Sequence, residues 1–187
     1  MKNEEVFDDD WHGLFLFCSH LTRAGTNHQS SANSPNQAAK SNREEASTDH
    51  VRIYVLRLVP GQDLRAELEQ FTKAKNIRAG FIITCVGSLR KAALRLADKS
   101  EATAFDGKFE IVSLVGTLTP DGPYLHISIS DGTGKTIGGH LVAGCEIYTT
   151  AEIVIGDALG LEMTSELDTE SGYKELKIRK HTLTKKP

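Results

Sequence analysis

Residues 125–144 read "LHISISDGTGKTIGGHLVAG", and two readings compete for them. Gly134-Lys135-Thr136 has the ending of a phosphate-cradling loop, but that motif needs a glycine where this chain has Ile129. Such a loop must also open a helix whose N-terminus holds the anion. Here Ile137-Gly138-Gly139-His140 follows, and a first helical turn tolerates those glycines poorly. Alternation decides the matter. Leu125, Ile127 and Ile129 fall on one face, and His126, Ser128 and Ser130 fall on the other, the period of a half-buried strand. Asp131-Gly132-Thr133-Gly134 then forms a hairpin connection, and the chain returns through residues 135–142. The stretch is a β-hairpin that carries His126 and His140 on neighbouring strands. Gly138, Gly139 and Gly144 in its return path mark a bulge, or a place where backbone, ligand or another subunit approaches closely.

Working outward, "VRIYVLRLV" (51–59) is rich in β-branched residues and stops at Pro60-Gly61, a strand and a turn. Residues 63–77 place Leu64, Leu68 and Phe71 on one helical face. Residues 79–89 and 91–98 read as two strands, Asp106-Gly107 as a turn, and 108–118 as a further strand. Residues 119–124 form a turn rich in proline and glycine, and 145–159, 161–167 and 173–180 are strands. One helix against some eight strands, mostly joined by short turns, predicts an α+β domain on a mostly antiparallel sheet.

A chain of 187 residues suits one domain. Its first 50 residues carry four basic against eight acidic side chains, whereas residues 51–187 carry 18 basic and 17 acidic. From Thr26 to His50 there is almost nothing to bury, so residues 1–50 are expected to be a disordered polar, acidic extension. The folded domain is expected over 51–180, with a basic tail at 181–187. The apolar island Leu14–Cys18 is too short to span a membrane. It also follows Asp8-Asp9-Asp10, unlike the basic start of a secretory signal. Cys18, Cys85 and Cys145 share no close spacing, so neither a zinc knuckle nor a disulfide framework is indicated. An intracellular protein, cytoplasmic or nuclear, fits that cysteine usage.

The segments "LRLVPGQDL", "VGSL", "GKFEIVSLVGTL", "LHISISDGTGKTIGGHLVAGCEI" and "AEIVIG", in this order, resemble the PPC domain. That family is named for plants and prokaryotes and is also called PD1-like. The resemblance implies a compact α+β subunit that assembles as a homotrimer. In plants the domain follows AT-hooks, Arg-Gly-Arg-Pro segments that enter A·T-rich minor grooves. No such segment occurs here, so the chain is similar to the free-standing, prokaryotic-type branch, and DNA binding is expected to be weak. A domain charge of about +1 agrees, because it neutralises few phosphates. The terminal "KIRKHTLTKKP" reads first as a solvated charged tail.

Plant members use a Gly-Arg-Phe-Glu-Ile-Leu segment to engage transcription factors, and Gly107–Val112 matches it with two near-equivalent changes. The resemblance makes Lys108, Phe109 and Glu110 candidates for partner contact. The plainer reading puts Phe109 and Ile111 in the core. Some prokaryotic members hold a metal between a His-x-His pair and the histidine of Gly-Gly-His. His126 and His140 match the first and third positions, but the middle one is Ser128. Zinc takes three or four good ligands, and serine is a poor one, unless Cys145 or Glu146 completes the sphere.

No His-Glu-x-x-His, Gly-x-Ser-x-Gly or Ser-His-Asp pattern is present, so no catalytic residue is named. Cys145 beside Glu146 reads first as a small core residue rather than a nucleophile. Two function classes follow. The first is a non-enzymatic trimeric module acting through protein contacts, with DNA nearby. The second is a small-molecule- or metal-binding protein with a site around His126 and His140.

Overall fold

The computed structural model describes residues 44–182. The strands are β1 (Val51–Leu58), β2 (Gly80–Arg95), β3 (Ala102–Thr119), β4 (Gly122–Ser130), β5 (Thr136–Leu141), β6 (Glu146–Ala158), β7 (Leu161–Leu167) and β8 (Lys174–Lys180). The helix α1 covers Leu64–Lys75. The first six strands form one sheet in the order β1-β6-β2-β3-β4-β5, and β7 pairs with β8 in a sheet of their own. Each pairing between these strands is antiparallel. The end of β2 also pairs with β5, so β2, β3, β4 and β5 close on one another.

Alternation sorts the side chains. Leu58, Leu89, Leu94, Leu118, Leu125, Ile129, Leu141, Ile147 and Ile153 are fully buried, and α1 seals them with Leu64 and Leu68. Burying each such side chain stabilises the fold by about 1.5–3 kcal/mol. Asp63 caps α1 by accepting from the Ala66 amide at 2.8 Å, and Asn76 ends it in the left-handed conformation. The other Asp63 oxygen accepts from the Gly144 amide at 2.6 Å, which pins the helix start to the β5–β6 connection.

Two expectations are corrected here. Residues 79–89 and 91–98 are not two strands: β2 runs unbroken from Gly80 to Arg95 and bends at register shifts on either side of Leu89. Gly87 permits the bend, because at its φ of +153° a Cβ would sit 2.2 Å from the Thr150 carbonyl oxygen. Asp106-Gly107 is likewise no turn but lies within β3, with Asp106 opposite Lys91. The reversal falls earlier, where Asp98 takes φ +59° and the Lys99 amide donates to the Leu96 carbonyl. Asp tolerates that left-handed position better than most residues.

Up to residue 43 the expected polar extension lies outside the described residues, as does the tail beyond 182. Residues 44–50 are held against the domain. The Thr48 hydroxyl donates to the Leu159 carbonyl at 2.6 Å, and the Lys177 ammonium meets Glu44 at 3.0 Å. Among the described residues no helix is long and apolar enough to cross a membrane.

Asp157, near the end of β6, is only 6% exposed. Burial lifts its carboxyl above the ordinary range, opposed in part by Arg52 and the Ala79 amide. Between the ordinary and the raised value the folded chain binds more protons than the unfolded one, so stability falls as pH rises through that window. Asp157→Asn should therefore unfold at a higher temperature than the wild type at neutral pH. The gain should vanish below about pH 3, where the unfolded carboxyl is protonated too. Thermal melts at the two pH values check this, and a gain equal at both would refute it.

Candidate functional site

The site is built by ladder register on the outer surface, where β2, β5, β4 and β3 meet. Leu94 lies opposite Leu141 and Arg95 opposite His140. Both leucines are buried, so alternation turns Arg95 and His140 outward. His140 in turn lies opposite His126, and His126 opposite Val115. Arg95, His140, His126 and Val115 thus form one crosswise row. Tyr124, two residues before His126 and on the same face, closes a cluster of rings. Its centroid is 5.1 Å from that of His140 and 5.5 Å from that of His126, and the two imidazoles meet edge to face at 5.6 Å.

The glycines explain how the row is assembled. A Cβ at Gly139 would sit 2.9 Å from the Arg95 carbonyl oxygen, and one at Gly138 would sit 2.9 Å from that of Ile127. Close backbone approach is the reason for both. Gly144 has φ +105° and lies against Ala93. Lys135 and Thr133 donate their amides to Asp131, so the Gly-Lys-Thr run is the hairpin turn and cradles no phosphate.

His140 is a weaker base than a free imidazole. Burial depresses its basicity first, and the nearby Arg95, His126 and Arg65 add to this. Its Nδ1 is buried without a hydrogen-bond partner. The residues around it do not make a zinc cage. Ser128 stands opposite Gly138 where a third imidazole would be needed. The Cys145 thiol faces the core, donates to the Ala93 carbonyl, and is pushed up to about 11 by burial. The Glu146 carboxylate is taken by Arg90, whose pairing lowers its proton affinity. Among the described residues no three His, Cys, Asp or Glu side chains are placed to share an ion, and Arg95 adds a cation to the row. With Cys145 inside and His140 outside, no nucleophile and base are assembled from them.

Lys108, Phe109 and Glu110 divide as the plainer reading has it for the ring. Phe109 is half-buried against the core, while Lys108 and Glu110 are exposed. The Lys108 ammonium lies 4.7 Å from the centre of the Tyr148 ring.

The same outer surface carries an apolar expanse that the sequence reading did not single out. Ile53, Gly156, Phe81, Thr117 and Tyr124 form a crosswise row through β1, β6, β2, β3 and β4. Gly156 lies under the Phe81 ring, where a Cβ would come within 2.3 Å. On the same strands Val55 is 78% exposed, Val86 58%, Val112 57% and Val115 52%. Tyr124 was within reach of sequence reasoning, since it shares the two-residue period of His126. Arg95 was not, because only the β2–β5 pairing brings it to His140.

Residues 45–159 match the Plants and Prokaryotes Conserved (PCC) domain. The chain is 47% identical over 146 residues to the Bifunctional protein GlmU of Synechococcus sp. (strain JA-3-3Ab), covering 78% of this chain and 24% of that protein. It therefore spans about a quarter of the length of that curated relative. A hypothetical protein of Salmonella enterica is similar in structure, with TM-score 0.71 and 41% identity, over 75% of this chain and all of that one. A plant- and prokaryote-conserved protein of Pyrococcus horikoshii aligns with TM-score 0.55 and 27% identity, over 69% of this chain and 95% of that one.

Proposed function

The chain belongs to the Plants and Prokaryotes Conserved domain family, and from that premise we propose that it is a self-associating interaction module that works inside the cell. It forms a homotrimer, performs no chemistry of its own, and meets other proteins, transcription-linked ones among them. The observation that carries this is the apolar outer face of the sheet. A subunit that leaves Val55, Val86, Val112 and Val115 more than half exposed has a patch suited to another copy. The number three comes from the family likeness. Lys108 and Glu110 are then the polar contacts offered to a further protein, with Phe109 anchoring their strand.

The proposal makes DNA at most a weak, unspecific partner. On β8, Lys177 is paired with Glu44 and Arg179 with Glu166, so both cations already have carboxylates. A salt titration of the full chain on A·T-rich and G·C-rich duplexes tests this. Both should bind equally weakly, with affinity falling steeply as salt rises, because such contacts go to phosphates. An A·T preference that survives about 150 mM salt would mean that the domain reads DNA, and the proposal would fall.

A further inference from the structure

We propose that the cleft between the outer sheet face and the β7–β8 pair binds a small aromatic molecule carrying one carboxylate or phosphate, held by Arg95 and Lys174. The cleft encloses about 560 Å³, the size of a small-molecule site. Arg95 and Tyr124 line it from the sheet, and Tyr173, Lys174 and Leu176 line it from the β8 side.

The charges choose the ligand's sign. Among the described residues Arg95 is the one arginine whose side chain meets no partner. Arg52 bonds Tyr54, Arg57 bonds Thr150, and Arg65, Arg78, Arg90 and Arg179 each pair with a glutamate. Among the described residues Lys174 has no ion-pair partner either, although Lys177 on the same strand does. Glu175 also lines the cleft, but one of its oxygens accepts from the Ser171 hydroxyl at 2.9 Å. Two cations against the single carboxylate of Glu175 leave the cleft with one positive charge to spare, room for an anion. The planar guanidinium fork matches the paired oxygens of a carboxylate or phosphate.

The walls choose the ligand's body. Tyr124 is 59% exposed, Tyr173 75% and Leu176 40%, so two rings and an alkyl chain stand uncovered in the cleft that the two cations line. An aromatic ring on the anion would cover them, and inorganic phosphate would not. The turn that presents Tyr173 is fixed in advance, because Asp168 accepts amides from Glu170 and Ser171 and its own amide donates to the Tyr173 carbonyl. This inference goes beyond the interaction module, and the cleft shares only Thr117 and Tyr124 with the row offered to another copy.

Calorimetric titration of the full chain with benzoate, phenyl phosphate, benzamide and inorganic phosphate tests it. Benzoate or phenyl phosphate should bind, and the tighter of the two identifies the anion. Neutral benzamide and ring-less phosphate should bind at least about tenfold more weakly, the loss expected for one missing charge-assisted contact. Arg95→Gln and Lys174→Gln should each weaken the aromatic anion by about tenfold. Tyr173→Ala should weaken it too, and because Tyr173 lies in the exposed turn before β8 and Lys174 at the exposed start of that strand, these two decide the matter should Arg95→Gln fail to fold. Failure of both aromatic anions to bind overturns the proposal. So does benzamide binding as tightly as benzoate, or affinity unchanged in both Lys174→Gln and Tyr173→Ala.

Discussion

Gly116→Val is expected to destabilise the domain by about 3–5 kcal/mol and to lower its melting temperature by roughly 10 °C. Gly116 lies in β3 opposite Leu125, with φ +132°, a conformation that side-chain-bearing residues seldom adopt. A Cβ there would sit 2.1 Å from the Tyr124 carbonyl oxygen and 3.0 Å from the Leu125 Cα. Both atoms are backbone, so no side-chain rotation relieves the overlap, and β4 has to move. Leu125 is fully buried and Tyr124 belongs to the ring cluster, so the displacement reaches the core and the site together. Gly132→Ala is the matched control. A Cβ at Gly132 meets nothing within 4 Å, and its melting temperature should stay close to that of the wild type. Equal melts for the two variants would contradict this account of Gly116.

Val86→Glu and Val115→Glu are expected to weaken self-association a hundredfold or more while leaving the subunit folded. Each valine is more than half exposed on the single subunit, so a carboxylate there stays hydrated and shifts stability by about 0.5 kcal/mol or less. In the assembly the same carboxylate would be buried without a partner. Desolvating it costs several kcal/mol per copy, and about 3 kcal/mol already exceeds a hundredfold in affinity. Unchanged circular dichroism and melting at dilute concentration, together with loss of the oligomer, would mark the effect as interfacial. Val59→Glu serves as a comparison, because Val59 lies just beyond β1, outside the row of strands that carries the apolar face.

Much of the fold was legible locally. The alternation of Leu125–Ser130, the turn at Asp131–Gly134 and the helix with Leu64 and Leu68 inward all follow from short-range pattern. What failed was the reading of breaks. Gly87 and the charged pair Arg90-Lys91 look like a stop, yet glycine at a bulge lets a strand bend and continue. Asp106-Gly107 has turn chemistry but finds itself paired across the ladder with β2, whereas the true reversal uses Asp98. His126 and His140 could be placed as neighbours from the hairpin alone. Their surroundings could not, because Arg95 reaches them through a pairing distant in sequence, and Cys145 turns inward on the far side of Gly144.

The surface valines were legible as strand residues, but whether they face the core or solvent depends on which face α1 covers. That face is fixed by the Asp63 bridge to Gly144 and by the packing of Leu64 and Leu68, and on the other side the β7–β8 pair stands only beside Thr117, Tyr124 and Arg95, leaving the valines open. A sheet with one apolar face uncovered needs a partner, and this is the physical basis for the assembly proposed above.

The mass of the full chain in solution, measured by light scattering at micromolar concentration, tests that claim most directly. The account predicts a particle of three times the 20.4 kDa chain that falls to a single chain in Val86→Glu. A wild-type mass of one chain, or a trimer that Val86→Glu and Val115→Glu both leave intact, would contradict it.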